Sequence, residues 1–419
     1  MRDFEYSYDV LLKVVKENVP FHLAVRSSLK QNKSDKNRDL KMVVNASSSA
    51  TLRHFYVLKE NIDRKYPDLD DDKILLIALA IADKLFSKRF TREEEKLLTF
   101  VRKTTGLDGI EEYINGFVDP KNLIPEDIEP ESRKYFSLRC NIPLWVVRMW
   151  EKNASILCKR LYYSMRKYEK NVLRINNQKI DDESFFKKYG EYKPHSESGL
   201  AIINDIKAIK KSKAIINEEA LPIFPGYKIL CDDLDIDPFR GIAIFAEEKN
   251  DLLEELYIRL GTRFNADYLC GDQKTFFSVS RSSKQLCLTD LRIYECSHEA
   301  IMTCVSKPVH TFFVCPKNSN FMSLVEEPDA FLRYKQEDMD GFYDSEISSL
   351  DHACKHVEEG GDLVYFVPTF SRNEGRKVIK QFLSTHEDFT LVKERQLFPF
   401  DKYSTMLYYA IFRKEKKND

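Results

Sequence analysis

Apolar residues recur at helical spacing through the first quarter of the chain. Leu75, Leu76, Ala78, Leu79, Ala82, Leu85 and Phe86 fall at i, i+3, i+4 and i+7, and Leu97, Leu98 and Val101 continue the pattern. That spacing turns one face of a helix toward a core, so residues 6–115 are expected to be helical throughout. Asp70, Asp71 and Asp72 stand just ahead of the first stretch. There a side-chain oxygen can cap free amides and a negative charge meets the positive helix end, so they are read as caps rather than as metal ligands. From about residue 226 the period changes. Short runs rich in β-branched and aromatic residues (241–245, 291–294, 310–315, 362–367 and 406–412) alternate with helical stretches at 252–260 and 345–357. Strands alternating with helices predict an α/β fold with a mostly parallel sheet. The last run follows 389–393 with no helix between them, which predicts an antiparallel edge.

Pro120, Pro125 and Pro130 space an acidic stretch between the two patterns, a natural boundary. Three parts follow: an all-α domain over 1–134, a connector and small subdomain over 135–225, and an α/β domain over 226–419. A chain of 419 residues with 43% hydrophobic side chains and 28 phenylalanines has ample material for several cores. The longest apolar runs, such as 74–82, are about half the ~20 residues of a spanning helix, so a cytoplasmic protein with no membrane association is expected. The nine cysteines are scattered with no CxxC pair, which argues for reduced thiols and against a zinc site or disulfide framework; no metal is expected.

Charge is segregated along the chain. Residues 159–213 carry 14 basic and 7 acidic side chains, whereas 214–350 carry 13 and 24. A basic connector attracts a phosphate backbone, because each phosphate neutralised releases a condensed counterion. A solvated basic surface is the alternative reading.

Several segments together resemble one family, the RsmB or Sun (Fmu) type of rRNA cytosine-C5 methyltransferase. Residues 52–58, reading Leu-Arg-His-Phe-Tyr-Val-Leu, are similar to the LRhyy-L signature of that family's NusB-like domain. Residues 138–150, with Arg139, Pro143, Trp145 and Trp150, resemble its tryptophan-bearing linker, and 173–176 resemble the LRVN that follows. Residues 327–338 align without a gap to an NPDIRWRRKPED segment, and 359–365 resemble a PGG-x-LVY segment that leads into a helix matched at 378–383. The resemblance spans nearly the whole chain. It implies an all-α NusB-like domain joined to a Rossmann-like catalytic domain, with S-adenosylmethionine as methyl donor and RNA as substrate.

It also identifies the positions where the chemistry would lie. The family's nucleophile is a cysteine whose place is taken here by Pro368, and its second cysteine is replaced by Asn318. A thiolate must attack the base, and proline offers no nucleophile. Cys315 stands three residues from Asn318, where the family has an aspartate. It is the remaining candidate thiol, although a small buried cysteine is the commoner role. The family's glycine-rich cofactor turn aligns with 242–251, where Glu247 and Glu248 replace glycines and only Lys249 persists. The acidic residue expected at the end of the second strand falls at Cys270, with Asp272 nearby. No bound cofactor is therefore expected, or S-adenosylmethionine if the chain is active.

The expectation is an RNA-binding pseudo-methyltransferase acting on rRNA or in ribosome assembly. Arg53, Arg139, Arg174, Lys210, Lys211 and Lys213 are the candidate phosphate contacts. An active methyltransferase with altered residues is one alternative. A scaffold engaging a protein partner through the helical domain is another.

Overall fold

Helix Asp71–Phe86 is buried at every position from 74 to 83. A helix apolar all round belongs at the centre of a bundle, and Arg2–Val15, Arg38–Arg53, Phe55–Lys65 and Phe90–Thr105 pack against it. Asp70 occupies its N-cap position but its side chain caps no amide. Asp72 instead pairs with Lys16 at 2.8 Å, so the aspartates act on this helix end through charge alone.

The computed structural model describes residues 2–31, 37–87, 90–167, 172–203, 212–325, 327–333, 335–401 and 405–416. Two units emerge, one of Met1–Arg166 with Ser323–Gln336, the other of Lys167–Met322 with Glu337–Asp419. The division differs from the boundary expected at 134. The proline-spaced stretch does not leave the helical unit: Leu123 is buried, its carbonyl accepts from Asn61 Nδ2 at 2.7 Å, and Asp127 pairs with Arg64 at 2.6 Å. The unit continues through Arg133–Cys140 and, up to Arg166, the long run Leu144–Lys167, kinked at Ala154.

The second unit holds two sheets. The smaller orders β1 (Val172–Ile175), β2 (Tyr192–Pro194), β3 (Leu200–Ile203) and β4 (Ala220–Leu221) as β2-β3-β1-β4, all antiparallel. The larger contains β5 (Ile242–Ala246), β6 (Ala266–Cys270), β7 (Leu291–Glu295), β8 (Val309–Cys315), β9 (Val357–Val367), β10 (Phe389–Leu397) and β11 (Leu407–Lys414), in the order β10-β11-β9-β8-β5-β6-β7. Strands β5 to β9 run parallel. The expected antiparallel strand is present, but it is not the edge: β11 inserts between β9 and β10, antiparallel to both, and leaves β10 outermost.

Burial explains this sheet. Every residue of β5 is buried. Ile242, Ile244 and Ala246 join one apolar cluster, Ala243 and Phe245 the other. Both faces are covered by helices, the arrangement that a parallel sheet requires. Among the described residues, no helix is long and apolar enough to cross a membrane.

Candidate functional site at the strand ends of the second unit

In an open parallel sheet, ligands bind beyond the C-terminal strand ends, where the strand order reverses. Here the reversal lies between β5 and β8, whose last residues pair as Ala246 with Cys315. The loop after β5 begins with Glu247, whose amide donates to the Cys315 carbonyl at 3.1 Å. Its side chain then lies across the strand ends. Glu247 Oε2 accepts from the Lys317 amide at 2.8 Å, and Oε1 is 3.5 Å from His298 Nδ1. At Gly271, which follows β6, a Cβ would sit 2.6 Å from Glu247 Cγ. The glycine is needed to let this side chain pass. Glu248 accepts from Asn320 Nδ2 at 3.2 Å, and Lys249 is exposed.

The positions of interest from the sequence fall around this loop. Asn318 is buried and closed on itself: Nδ2 donates to the Pro316 carbonyl at 2.8 Å, and Oδ1 accepts from the Asn320 amide at 2.8 Å. Asn320 takes a left-handed conformation, φ 45°, which asparagine tolerates. Pro368 follows β9 and its carbonyl accepts from the Met322 amide at 3.0 Å. Cys315 is buried at the end of β8, and burial pushes its thiol well above the usual range; the carboxylates of Glu248 and Glu247 add to the effect. It is held as a thiol, which is not the reactive form. Cys270 is likewise buried and pushed up to about 12, first by burial and then by Asp272 and Glu295. Asp272 is committed to capping helix Gln273–Gln285, where its Oδ1 accepts from the Thr275 amide at 2.6 Å.

A polar cluster that sequence reasoning missed lies beside Asn318 and Pro368. Glu374 is fully buried and accepts from the Ser319 amide at 2.6 Å and from Ser319 Oγ at 2.8 Å. Ser319 Oγ is also 2.7 Å from Thr369 Oγ1, and Tyr365 donates to the Glu374 carbonyl at 2.6 Å. Burial raises the Glu374 carboxyl to about 7 against the stabilising bonds from Ser319. Burial, then the charge of Glu374, raises Glu346 well above its ordinary range. Perturbed carboxyls mark functional sites as well as structural networks. Ser319, Thr369 and Glu374 show no exposure at all, so the cluster reads as a structural lock. No signal in the sequence links residues so far apart in the chain.

The candidate phosphate contacts scatter. Arg53 and Arg139 are exposed on the first unit. Their segments meet, because Asn141 donates to the Leu52 carbonyl at 2.8 Å and accepts from the Tyr56 amide at 3.1 Å. The matched segment 327–338 joins them: Tyr56 Oη donates to the Phe331 carbonyl at 3.2 Å, and the Phe331 ring lies 6.3 Å from that of Trp150. Arg174 must be withdrawn as a phosphate contact. It is 5% exposed, and its guanidinium is spent on Glu255, the Ile175 and Gly199 carbonyls and Asn177. Lys210 and Lys211 lie outside the described residues. Lys213 is exposed and, with Lys188, Tyr189 and Asn217, lines a cavity of about 600 Å³ beside the small sheet.

No protein-family model and no curated protein matches this chain. Solved structures do. The crystal structure of PH0851 shares 14% identity and superposes with a TM-score of 0.73 over 99% of this chain and 98% of its own. The methyltransferase homolog protein from Pyrococcus horikoshii shares 14% identity, with a TM-score of 0.58 over 68% of this chain and all of its own. The fold is the Rossmann-like methyltransferase fold. NSun6 from Pyrococcus horikoshii, solved with SFG, shares 12% identity, with a TM-score of 0.55 over 69% of this chain and 99% of its own. At these identities the likeness is one of fold.

Proposed function

We propose that this chain is an RNA-binding protein of rRNA cytosine-C5 methyltransferase descent that has lost methyl transfer. Glu247 carries the reading. Its carboxylate spans the reversal point, bonded to the Lys317 amide at 2.8 Å, where a cofactor turn needs glycines so that the backbone can approach the ligand. S-adenosylmethionine does not fit these residues: its methionine carboxylate would meet Glu247 and Glu248, and like charges in a partly buried site repel. Proline and a self-bonded asparagine at the two cysteine positions support the same conclusion. RNA binding is supported by Arg53 and Arg139 on the helical unit and by Lys188 and Lys213 beside the small sheet. The partner we favour is rRNA or a ribosome-assembly intermediate.

Two measurements test the proposal separately. Equilibrium dialysis of the full chain against S-adenosylmethionine should show no binding at millimolar ligand; micromolar binding would restore the reading as an active methyltransferase. Filter binding of rRNA fragments should weaken steeply as salt rises, because phosphate contacts release counterions. A flat salt response, or a protein partner recovered without nucleic acid, would refute the RNA reading.

A further inference from the structure

Helix Gln273–Gln285 follows β6 and lies in the part of the chain, 214–350, that holds 13 basic and 24 acidic side chains, yet none of its own residues is acidic. Thr275, Val279 and Ser283 recur every four residues and are buried, and Phe276 packs against the apolar cluster that contains the β5 and β6 side chains. The opposite face presents Lys274, Phe277, Arg281 and Lys284, all exposed. At about 100° per residue the four project within roughly 80° of one another, and Lys274 to Lys284 spans about 15 Å of helix axis. Among the described residues, no carboxylate pairs with any of the three cations. Phe277 stands between them, 60% exposed, and its ring meets that of Phe276 edge to face at 5.8 Å. The helix cap Asp272 follows directly on Gly271, against which Glu247 lies, so this face begins beside the strand-end crevice.

We propose that this helix face binds a single-stranded segment of RNA, with Lys274, Arg281 and Lys284 on its phosphates and an unpaired base stacked on Phe277. The inference rests on the RNA-binding reading above and adds a contact surface in the second unit. Cations without carboxylate partners gain most from a phosphate backbone, which releases its condensed counterions to them. The aromatic ring between them selects the form of the partner: any base stacks on such a ring through its π-face, but a duplex hides those faces within its own stack. The acidic chain around the helix argues against a broad anionic partner such as a membrane, because a flat surface would meet the repelling carboxylates together with the cations. A single strand is narrow enough to follow one helix.

The test follows labelled oligouridylate binding to the full chain by fluorescence anisotropy over a range of salt concentrations. Lys274→Gln, Arg281→Gln and Lys284→Gln together should weaken binding and make the slope of log K against log salt about 2 shallower, at about 0.7 for each phosphate contact. Phe277→Ala should weaken binding about 5- to 150-fold with the slope unchanged, and Phe277→Tyr should bind as the native chain does. All four side chains are exposed, so the variants should keep the native far-UV circular dichroism. A full chain that binds no RNA would refute the RNA reading and this face with it. Salt-sensitive RNA binding that either the triple variant or Phe277→Ala leaves intact would overturn this face alone. Equal affinity for a duplex of the same length would overturn it too, as would loss of binding to phosphatidylserine vesicles in the triple variant while oligouridylate binding stays intact.

Discussion

Replacing Arg174 by methionine separates a structural role from RNA contact at a residue that the sequence offers for either. Arg174 Nε donates to Glu255 Oε2 at 2.9 Å, and Nη1 reaches Asn177 Oδ1 at 2.7 Å, the Ile175 carbonyl at 2.9 Å and the Gly199 carbonyl at 3.0 Å. Glu255 has no exposure, and its other cationic partner is Arg259, at 2.8 Å. Removing Arg174 leaves a buried carboxylate with half its compensation, a change that costs about 3–5 kcal/mol. Domains are stable by only about 5–15 kcal/mol, so the loss should be plain in urea. The two units allow an internal control. Trp145 and Trp150 are the only tryptophans and both lie in the first unit, so their fluorescence transition should stay put while the far-UV circular dichroism acquires an earlier component. Adding Glu255→Leu should recover most of the loss, since a buried pair replaced by apolar groups is often close to neutral. A shift below about 1 kcal/mol, accompanied by weaker RNA binding, would refute this assignment and return Arg174 to the phosphate contacts.

Three further outcomes are expected. Gly271→Ala places a Cβ 2.6 Å from Glu247 Cγ and 2.8 Å from its Cα; displacing backbone should cost about 1–3 kcal/mol in urea, and an unchanged midpoint would mean that Glu247 does not lie across the glycine. Asn141→Ala removes two hydrogen bonds and puts alanine at φ 55°. A loss of about 2–3 kcal/mol in the tryptophan-reported transition follows, and Asn141→Gly should recover only the backbone part. Glu374 has its carboxyl raised from 4.5 to about 7 in the folded chain, so the folded state keeps a proton that the unfolded state releases. Stability from this group is therefore full below about pH 4.5 and lost as pH rises to about 7, roughly 3 kcal/mol across the window. Glu374→Gln should flatten that slope in urea titrations at several pH values, leaving the part due to Glu346. An identical slope in the variant would show that the carboxyl titrates normally.

The parallel sheet was legible because its strands are buried on both faces and read as continuous β-branched and aromatic runs, as at 241–245 and 362–367. The place of β11 was not, since a run of residues shows that a strand exists but not which neighbour its amides choose. The division at Arg166 rather than at 134 has a related reason. Prolines mark where regular structure stops, but whether the irregular stretch leaves the unit depends on contacts such as Leu123 with Asn61, which have no local signature. Residues 327–338 were recognisable by resemblance, yet only the structure shows their Phe331 bonded to Tyr56 and set against Trp150.

At the strand ends the sequence supplied residue types and the structure supplied their partners. Glu247 and Glu248 stand where the resemblance places glycines, but the sequence does not tell where their carboxylates point. The direction of the Glu247 side chain turns on the Lys317 backbone amide, a donor that every non-proline residue carries and that no sequence pattern advertises. Its bond to Glu247 draws the carboxylate inward over Gly271, so charge and bulk act at the same point. A glycine at 247 would therefore remove this side chain and its negative charge together, yet Glu248, Asn318 and Pro368 would remain. On the proposed reading, Glu247→Gly combined with Glu248→Gly should bind S-adenosylmethionine without transferring methyl, measured by dialysis and by transfer of labelled methyl to rRNA. Transfer by that variant would mean that some residue of this chain other than Asn318 and Pro368 attacks the base.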